Sequence, residues 1–509
     1  MSSKYKFKRK PYKHQVAALK DLLLREWGGA LLMEPRTGKT KVAVDWVGIN
    51  HLHKGINRVL IVGPVVAIEV WKDELKENLD IPYRLTIWDR DGRKAARLPS
   101  YGKDILDIVL LNYDAFSTPG EYRRDRKTGA FVTDVEGNKL RSNTRGGRYD
   151  VIKAIKLWQP QAIILDESHR IKTPSSKKAR ALHRLGPIAE KRVILTGTPI
   201  TKSKRLFDAY SQWQFLNPER FGGMSFSEFK QEYGRWLPMD KWQKFLGTKN
   251  EAQLHDLMHM DAFSVTREEC YDLPKQTSQT IWVPLEESAP VYDQMAEDMV
   301  ARIHSGEITE ASIKLVQGLR LQQITSGLAK TSPTPEHPNG RLQIIGAEKI
   351  RALEDRLEDL MEADEKVVIG AQFKGDILRL GELGKRLGVP TFTLSGSTPN
   401  SLRGKLPSEF KKVRGGAIFI GQPAAAGEAI DLSCASILQW YSLPTSWVQY
   451  KQFSDRIALS DKPTFYEYYL APNTIDVLRY ETLLEDGDIG KKMILSPERL
   501  LRTEGFAKK

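Results

Sequence analysis

Runs of aliphatic and β-branched residues, almost free of polar positions, recur along this chain at residues 29–33, 58–64, 107–113, 161–167 and 191–198. A second set follows at 366–373, 391–396, 416–422, 435–441 and 464–470. Longer stretches of mixed polarity and helical character separate them. A strand that reads as a continuous apolar run is covered on both faces, as in a parallel sheet flanked by helices. Two groups of such runs, far apart in the chain, therefore predict an α/β protein with two parallel-sheet domains.

The segments between the groups differ. Residues 205–245 hold eleven aromatics, among them Phe207, Tyr210, Trp213, Phe221, Trp236 and Trp242. The 207/210/213 spacing predicts one helix face, either an apolar helical core or a platform for stacked bases. Residues 315–324 read as helical, 273–274 as a break, and TSPTPEHPNG (331–340) as a Pro-rich loop. Residues 121–148 carry Arg123, Arg124, Arg126, Lys127, Lys139, Arg141, Arg145 and Arg148 against four acids, with no periodicity. This is a solvated insertion or a DNA-contacting loop, since phosphate contacts need only flexible cations near a groove.

Composition adds bounds. At 509 residues the chain has room for roughly two to four domains. Lys and Arg number 78 against 64 Asp and Glu, a net charge of +14 that favours a polyanionic partner. Two cysteines, Cys270 and Cys434, exclude a disulfide framework and a multi-cysteine zinc site, and predict two buried thiols in a reducing compartment. The longest apolar stretch, 59–71, is broken by Gly63, Pro64 and Glu69, which argues against a membrane span. The N-terminal MSSKYKFKRKPYK has no apolar run behind it and is not a secretory signal. It reads as a solvated tail or a phosphate-contacting arm.

Three segments carry candidate chemistry. In GALLMEPRTGKT (29–40) a strand enters a turn that opens a helix. This is where a phosphate-binding loop belongs: backbone N–H groups could wrap the phosphates, Lys39 would reach the β- and γ-phosphates, and Thr40 would place its hydroxyl on Mg²⁺. Met33 stands where the simple phosphate-loop pattern has glycine. In AIILDESHRIK (162–172) a buried strand delivers Asp166 and Glu167 at its carboxyl end, where α/β sheets bind ligands. Asp166 would hold Mg²⁺ through water and Glu167 would orient the attacking water. Alone, such a pair is also an ordinary solvated strand end. In RVILTGTP (192–199) a strand ends in Thr196, Gly197 and Thr198, which either sense the neighbouring acidic segment or cap a turn.

Taken in this order, the three segments resemble superfamily 2 helicases, and most closely their Swi/Snf-type branch. Between the motifs, His14-Gln15 in YKHQVAAL resembles the family's adenine-reading element, and 60–75 and 107–116 resemble its next motifs. Residues 166–182, LTGTPI (195–200) with FLNP (215–218), and 263–276 are similar to the acidic box, the motif after it and the segment joining the lobes. Further on, 365–373, LSGSTPNSLRGKLPSEF (394–410), GEAIDLSCAS (427–436) and QFSDRIAL (452–459) resemble second-lobe motifs. Asp431 stands for the usual Asn, and Ala426 and Ala429 for glycines. The final motif has one arginine too few. Aligned on Gln452, Asp455 and Arg456, it has Leu459 at the second arginine, while a register from Gln449 loses the first. Lys462 and Arg403 are candidate substitutes.

The resemblance implies two RecA-like lobes with helical insertions and ATP with Mg²⁺ as the nucleotide and metal. The expected domains are residues 1–270 (basic loop 121–148, helical insertion near 205–262), 271–480 (insertion near 285–345) and an extension, 481–509. It implies Lys39, Asp166, Glu167 and Arg456 as catalytic residues. Gln15, Arg36, Thr37, Gly38, Lys39, Thr40 and Asp431 would bind ATP, with Thr40 and Asp166 on the metal. His169, Thr196, Gly197 and Thr198 would couple nucleotide state to motion. Arg123, Arg124, Arg126, Lys127, Lys172 and Lys177 are candidate DNA contacts. The function expected is an ATP-dependent translocase or helicase on duplex or branched DNA, in recombination, repair or replication. Such a chain is expected to be monomeric, without a membrane partner, in the cytoplasm or nucleoid, or in the host cytoplasm if viral. The alternative is a nucleotide-gated DNA-binding or scaffold protein with little turnover, motivated by the absent arginine. A P-loop kinase would explain the first lobe only.

Overall fold

The computed structural model describes residues 5–65, 67–88, 98, 105–125, 130–134, 138–142, 147–201, 206–239, 243–271, 275–304, 311–330, 341–426, 430–458 and 462–494. Trp242, the 273–274 break, the Pro-rich loop, Arg126, Lys127, Arg145 and Leu459 lie outside the described residues. The chain divides into two compact units. One comprises Met1–Tyr271 with Asp488–Lys509, the other Asp272–Gly487.

In the first unit β1 (Gly28–Met33), β2 (Arg58–Gly63), β3 (Tyr83–Ile87), β4 (Leu106–Asn112), β5 (Ala162–Asp166) and β6 (Lys191–Thr196) follow in chain order. β7 (Gly234–Pro238) and β8 (Gln243–Thr248) form a separate antiparallel hairpin, and β9 (Ala262–Val265) comes last. The main sheet has seven parallel strands in the order β3-β4-β2-β5-β6-β1-β9. Its inner strands β4, β2, β5, β6 and β1 are mostly apolar because successive side chains enter different cores. Leu60, Val62, Ile163 and Leu165 pack on one face, and Val59, Ile61, Ile164 and Leu195 on the other. Ile164→Ala, at a fully buried position, would cost about 2–5 kcal/mol.

The second unit repeats the plan. Its strands are β10 (Gln276–Trp282), β11 (Leu328–Lys330), β12 (Leu342–Ile344), β13 (Lys366–Gly370), β14 (Thr391–Leu394), β15 (Ala417–Gly421), β16 (Ile437–Trp440) and β17 (Thr464–Leu470). Six form a parallel sheet, β10-β17-β16-β13-β15-β14, and β11 pairs with β12. Val368, Phe419 and Leu438 face one core, and Val367, Ile369, Ile418 and Ile420 the other. The chain is therefore an α/β protein with two parallel-sheet units.

Each of the ten apolar runs contains a sheet strand. Several other expectations need revision. The segment near 205–262 is not purely helical, because β7 and β8 interrupt it. Phe207, Trp236 and Phe245 pack together across that hairpin. The helix Asp208–Leu216 buries Tyr210 and Trp213 in the core, which removes them as a base-stacking platform. The 285–345 stretch holds helices Ala289–His304 and Ala311–Thr325 and the β11–β12 pair. Helix Ile475–Ile494 runs unbroken through residue 480, where a domain end was expected.

The N-terminal segment is anchored at Tyr5, although residues 6–10 beyond it are exposed, as expected of a solvated tail. Tyr5 is buried against Gly48 and Leu79, and its hydroxyl donates to Asp45 Oδ1 at 2.8 Å. Cys270 and Cys434 are half-buried rather than fully buried, and burial pushes both thiols up, Cys270 to about 12.

Candidate active site

Parallel pairing puts the carboxyl ends of β5, β6 and β1 side by side, with β6 in the middle. Asp166 sits opposite Leu195, and Leu32 opposite Thr196. The turn after β1, the acidic pair after β5 and the Thr-Gly-Thr after β6 therefore share one edge of the sheet.

The turn after β1 is held open from inside. Thr37 donates its hydroxyl to the Glu34 carbonyl (2.8 Å), and Glu34 Oε2 accepts from the Arg267 amide (2.9 Å). Arg36 and Gly38 both have positive φ, +70° and +81°. The Thr37 carbonyl accepts from His14 Nε2 at 2.8 Å and Gln15 Nε2 at 3.3 Å, and the Arg36 carbonyl from the Tyr271 hydroxyl at 3.0 Å. The backbone conformation favours glycine there, and a Cβ on Gly38, 2.1 Å from Gln15 Nε2, would displace that amide. The helix Lys39–Lys54 begins at this point with no side-chain cap at its N-terminus, which leaves its first N–H groups available to an anion. Thr40 lies in its first turn, partly exposed.

Across this turn stands the acidic pair. Lys39 Nζ lies 3.1 Å from Glu167 Oε1, both side chains mostly buried. Glu167 has positive φ (+50°) just after β5 ends. Burial would push its carboxyl up, but Lys39 and His169 outweigh that and hold it below the usual carboxylate range. Asp166 behaves oppositely: burial and the Glu167 charge push it up, to about 6. Its Oδ2 accepts from the Trp71 indole N–H at 2.9 Å, its Oδ1 from the Glu167 amide at 3.0 Å, and its carbonyl from the Tyr113 hydroxyl at 2.8 Å. A buried carboxylate pushed up by a neighbouring anion is chemically suited to a divalent cation, which would relieve both effects.

His169 links the acids to the middle strand. Its Nδ1 lies 3.3 Å from Glu167 Oε2, 3.3 Å from Thr196 Oγ1 and 3.2 Å from Thr198 Oγ1. The Thr198 amide donates to Thr196 Oγ1 at 3.0 Å. Gly197 packs against the base of the phosphate-type turn, where a Cβ would meet Pro35 Cδ at 2.8 Å and the Met33 carbonyl at 3.0 Å. The nucleotide, metal and coupling candidates of the first half, from Gln15 and the turn 36–40 to Asp166, Glu167, His169 and 196–198, thus lie along one sheet edge.

In the second unit, Arg456 is buried and tied locally. Its Nε donates to the Gln452 carbonyl (2.7 Å) and its Nη1 to the Ile430 carbonyl (3.1 Å), while the Leu432 amide donates back to the Arg456 carbonyl (3.2 Å). Asp431, between those two anchored residues, is exposed and accepts from the Ser433 amide at 3.1 Å. Of the candidate substitutes, Lys462 pairs with Glu365 at 3.1 Å, and Arg403 donates to the Thr398 carbonyl at 3.0 Å.

Comparison with known proteins matches the SNF2-related domain family over residues 13–330 and the helicase conserved C-terminal domain over 348–458. The chain belongs to the SNF2-related family. The similar proteins include the DNA repair and recombination protein RAD54B of Gallus gallus, 24% identical over 464 residues, covering 82% of this chain and 46% of that one. A Caenorhabditis elegans homologue of SWI/SNF-related matrix-associated actin-dependent regulator of chromatin subfamily A-like protein 1 is 23% identical, covering 93% and 60%. The DNA repair protein RAD5 of Mycosarcoma maydis is 34% identical over 171 residues, 33% of this chain and 11% of that protein. The chain spans less than two thirds of the length of each of these curated relatives.

Sequence reasoning missed the residues that hold this SNF2-related site in place. Trp71 and Tyr113 fix Asp166, and Tyr271 fixes Arg36. Trp71 and Tyr113 lie inside quoted motifs, 60–75 and 107–116, yet a lone aromatic in an apolar stretch reads as core until its polar tip is seen to find a partner. The DNA-contact candidates do not cluster with the site side chains. Lys172 donates to Thr201 Oγ1 at 2.5 Å, Lys177 is exposed at the start of helix Lys177–Leu185, and Arg123 and Arg124 lie in the insertion described below. Among the described residues no helix is long and apolar enough to cross a membrane.

Proposed function

We propose that this chain is a DNA-dependent ATPase that couples ATP hydrolysis to movement along duplex or branched DNA, in recombination, repair or replication. The observation that carries the reading is the Lys39–Glu167 ion pair beside buried Asp166, facing a glycine-cradled turn at the carboxyl edge of a parallel sheet. The family membership and the net charge of +14 support it.

In this reading the turn 34–40 binds the triphosphate of ATP through backbone N–H groups, and Gln15 sits beside it at the position that reads the base. The donor set fits Mg²⁺, since Thr40 offers a hydroxyl and Asp166 a buried, anion-crowded carboxylate. Bound there, Mg²⁺ would neutralise charge on the phosphate oxygens. Glu167 is kept ionised by Lys39 and His169, so it can accept a hydrogen bond from the attacking water and orient it. Arrival of the phosphates draws Lys39 away from Glu167 toward the γ-phosphate, freeing that carboxylate for water. His169 transmits the change to Thr196 and Thr198. Arg456 and Asp431 enter as second-unit residues whose loss lowers turnover. The protein acts as a monomer where chromosomal or viral DNA is exposed, in the cytoplasm or nucleoid.

The test is ATP hydrolysis without nucleic acid and with single-stranded, duplex and forked DNA, alongside Lys39→Ala and Glu167→Gln. Stimulation by duplex or forked DNA that both variants abolish is expected. Tight ATP binding with no DNA-stimulated turnover in the unmodified protein would refute the motor and leave a nucleotide-gated binder.

A further inference from the structure

The basic segment 121–148 is built, not merely charged. It leaves the first unit's sheet after β4, whose carboxyl end lies on the same edge as those of β5 and β1, since β2, β5, β6 and β1 follow it in parallel. Its root is fixed. The Arg148 amide donates to the Thr118 carbonyl at 3.2 Å, and Gly147, at φ +53°, approaches the Pro119 carbonyl so closely that a Cβ would stand 2.1 Å from it. Above the root, three short segments bond to one another in a closed ring. Arg123 N–H donates to the Leu140 carbonyl (2.8 Å), Leu140 N–H to the Val132 carbonyl (2.8 Å), and Val132 N–H to the Arg123 carbonyl (3.0 Å). Antiparallel bridges pair Tyr122 with Arg141, Arg124 with Phe131, and Thr133 with Lys139.

This pairing brings two aromatic rings and three cations together. Tyr122 and Phe131 meet edge to face at 5.8 Å. Arg141 stacks on Tyr122 at 3.8 Å, and Arg124 and Lys139 both lie 4.1 Å from the centre of Phe131. The rings remain 43% and 36% exposed, so they do not serve a core. Their effect is on the cations. A long basic side chain in a solvated loop samples many rotamers, whereas one lying on a ring in a closed backbone frame has already lost that freedom. In sequence the segment holds eight Lys and Arg against four acids.

We propose that the insertion is a preformed cation ladder that grips the phosphate backbone of duplex DNA, with Arg124, Lys139 and Arg141 as the contacts and Tyr122 and Phe131 as the residues that position them. The cations cover the ring faces, so the ladder does not stack bases and carries no sequence preference. The proposal rests on the reading of the chain as a DNA-dependent ATPase.

The test measures binding of the full-length protein to a fluorescent duplex and to a single strand of equal length across a salt series. Two variants are compared, R124Q/K139Q/R141Q and Y122L/F131L, each with its melting temperature. The charge variant should bind duplex at least about tenfold more weakly, with the slope of log affinity against log salt reduced by roughly 2–3, one phosphate contact per cation. The ring variant should bind several-fold more weakly while keeping most of the slope. Should the charge variant unfold, R124Q/K139Q leaves the Arg141 hydrogen bond to the Gly120 carbonyl intact and should lower the slope by about 2. A charge variant matching the unmodified protein in affinity and slope overturns the ladder while the motor reading stands. A loss confined to the single strand overturns the duplex assignment. An unmodified protein that binds neither DNA overturns the function reading and the ladder with it.

Discussion

Gly38 provides a quantitative test of how the phosphate-type turn is held. Gly38→Ala asks an L-residue to adopt φ +81°, ψ 32°, which costs about 1–2 kcal/mol. Its Cβ would also fall 2.1 Å from Gln15 Nε2. Gln15 would have to withdraw, losing its bonds to the Thr37 carbonyl (3.3 Å) and from the Tyr12 amide (3.0 Å), at about 1 kcal/mol each. The single substitution should therefore destabilise the first unit by roughly 3–4 kcal/mol, and Gln15→Ala by roughly 2 kcal/mol. The double variant has no side chain left to displace, so it should cost about 3–4 kcal/mol rather than the sum, a coupling near 2 kcal/mol. The assay is scanning calorimetry, reading the transition that ATP with Mg²⁺ shifts upward, which reports the unit that binds it. Strictly additive costs would refute the reasoning, because they would mean that Gln15 does not fill the space beside Gly38.

Further outcomes follow from the same contacts. Trp71→Phe keeps an aromatic ring but removes the indole N–H that donates to Asp166 Oδ2; turnover should fall about tenfold, as for loss of a hydrogen bond to a charged group, with ATP affinity changing less than about threefold. Equal losses in both parameters would sink the assignment of Asp166 to the reacting complex. Asp376 in the second unit is fully buried, and burial pushes it from 3.8 to about 6, partly offset by Ser442. The folded state then holds its proton more tightly than the unfolded chain, so the stability of this unit is full below about pH 4 and falls as pH rises to about 6. The loss is on the order of 3 kcal/mol. Asp376→Asn, which keeps an acceptor for the Ser442 hydroxyl, should flatten melting temperature between pH 4 and 6; an unchanged profile would assign the dependence elsewhere. Tyr5→Ala should destabilise the first unit by about 3–5 kcal/mol in denaturant unfolding, whereas a solvated tail would show no change.

The resemblance and the spacing of strands, turn and acids were readable without coordinates because each is local. A phosphate-type turn needs glycine at one backbone position, and a strand covered on both faces must be apolar at every residue. What escaped were the edges. β3, β9 and β10 each lie at a sheet border, where one side meets no partner strand, and QTSQTIW in β10 is largely exposed. No apolar run marks such a strand, since its identity comes from pairing. The insertion hid for a similar reason: its three segments are short, polar and defined by bonds among themselves.

The sequence by itself determined the two-sheet α/β architecture and singled out the candidate residues for the chemistry, since strand patterning and side-chain type are local. Tertiary structure alone decided that β6 lies between β5 and β1, so that His169 meets Thr196 and Thr198. It also decided that Trp71 and Tyr113 reach Asp166, and that Tyr5 is an anchor. Those contacts join positions from 27 to 95 residues apart. They exist because packing closes those distances, and no local pattern along the chain records which partner a buried polar atom will find.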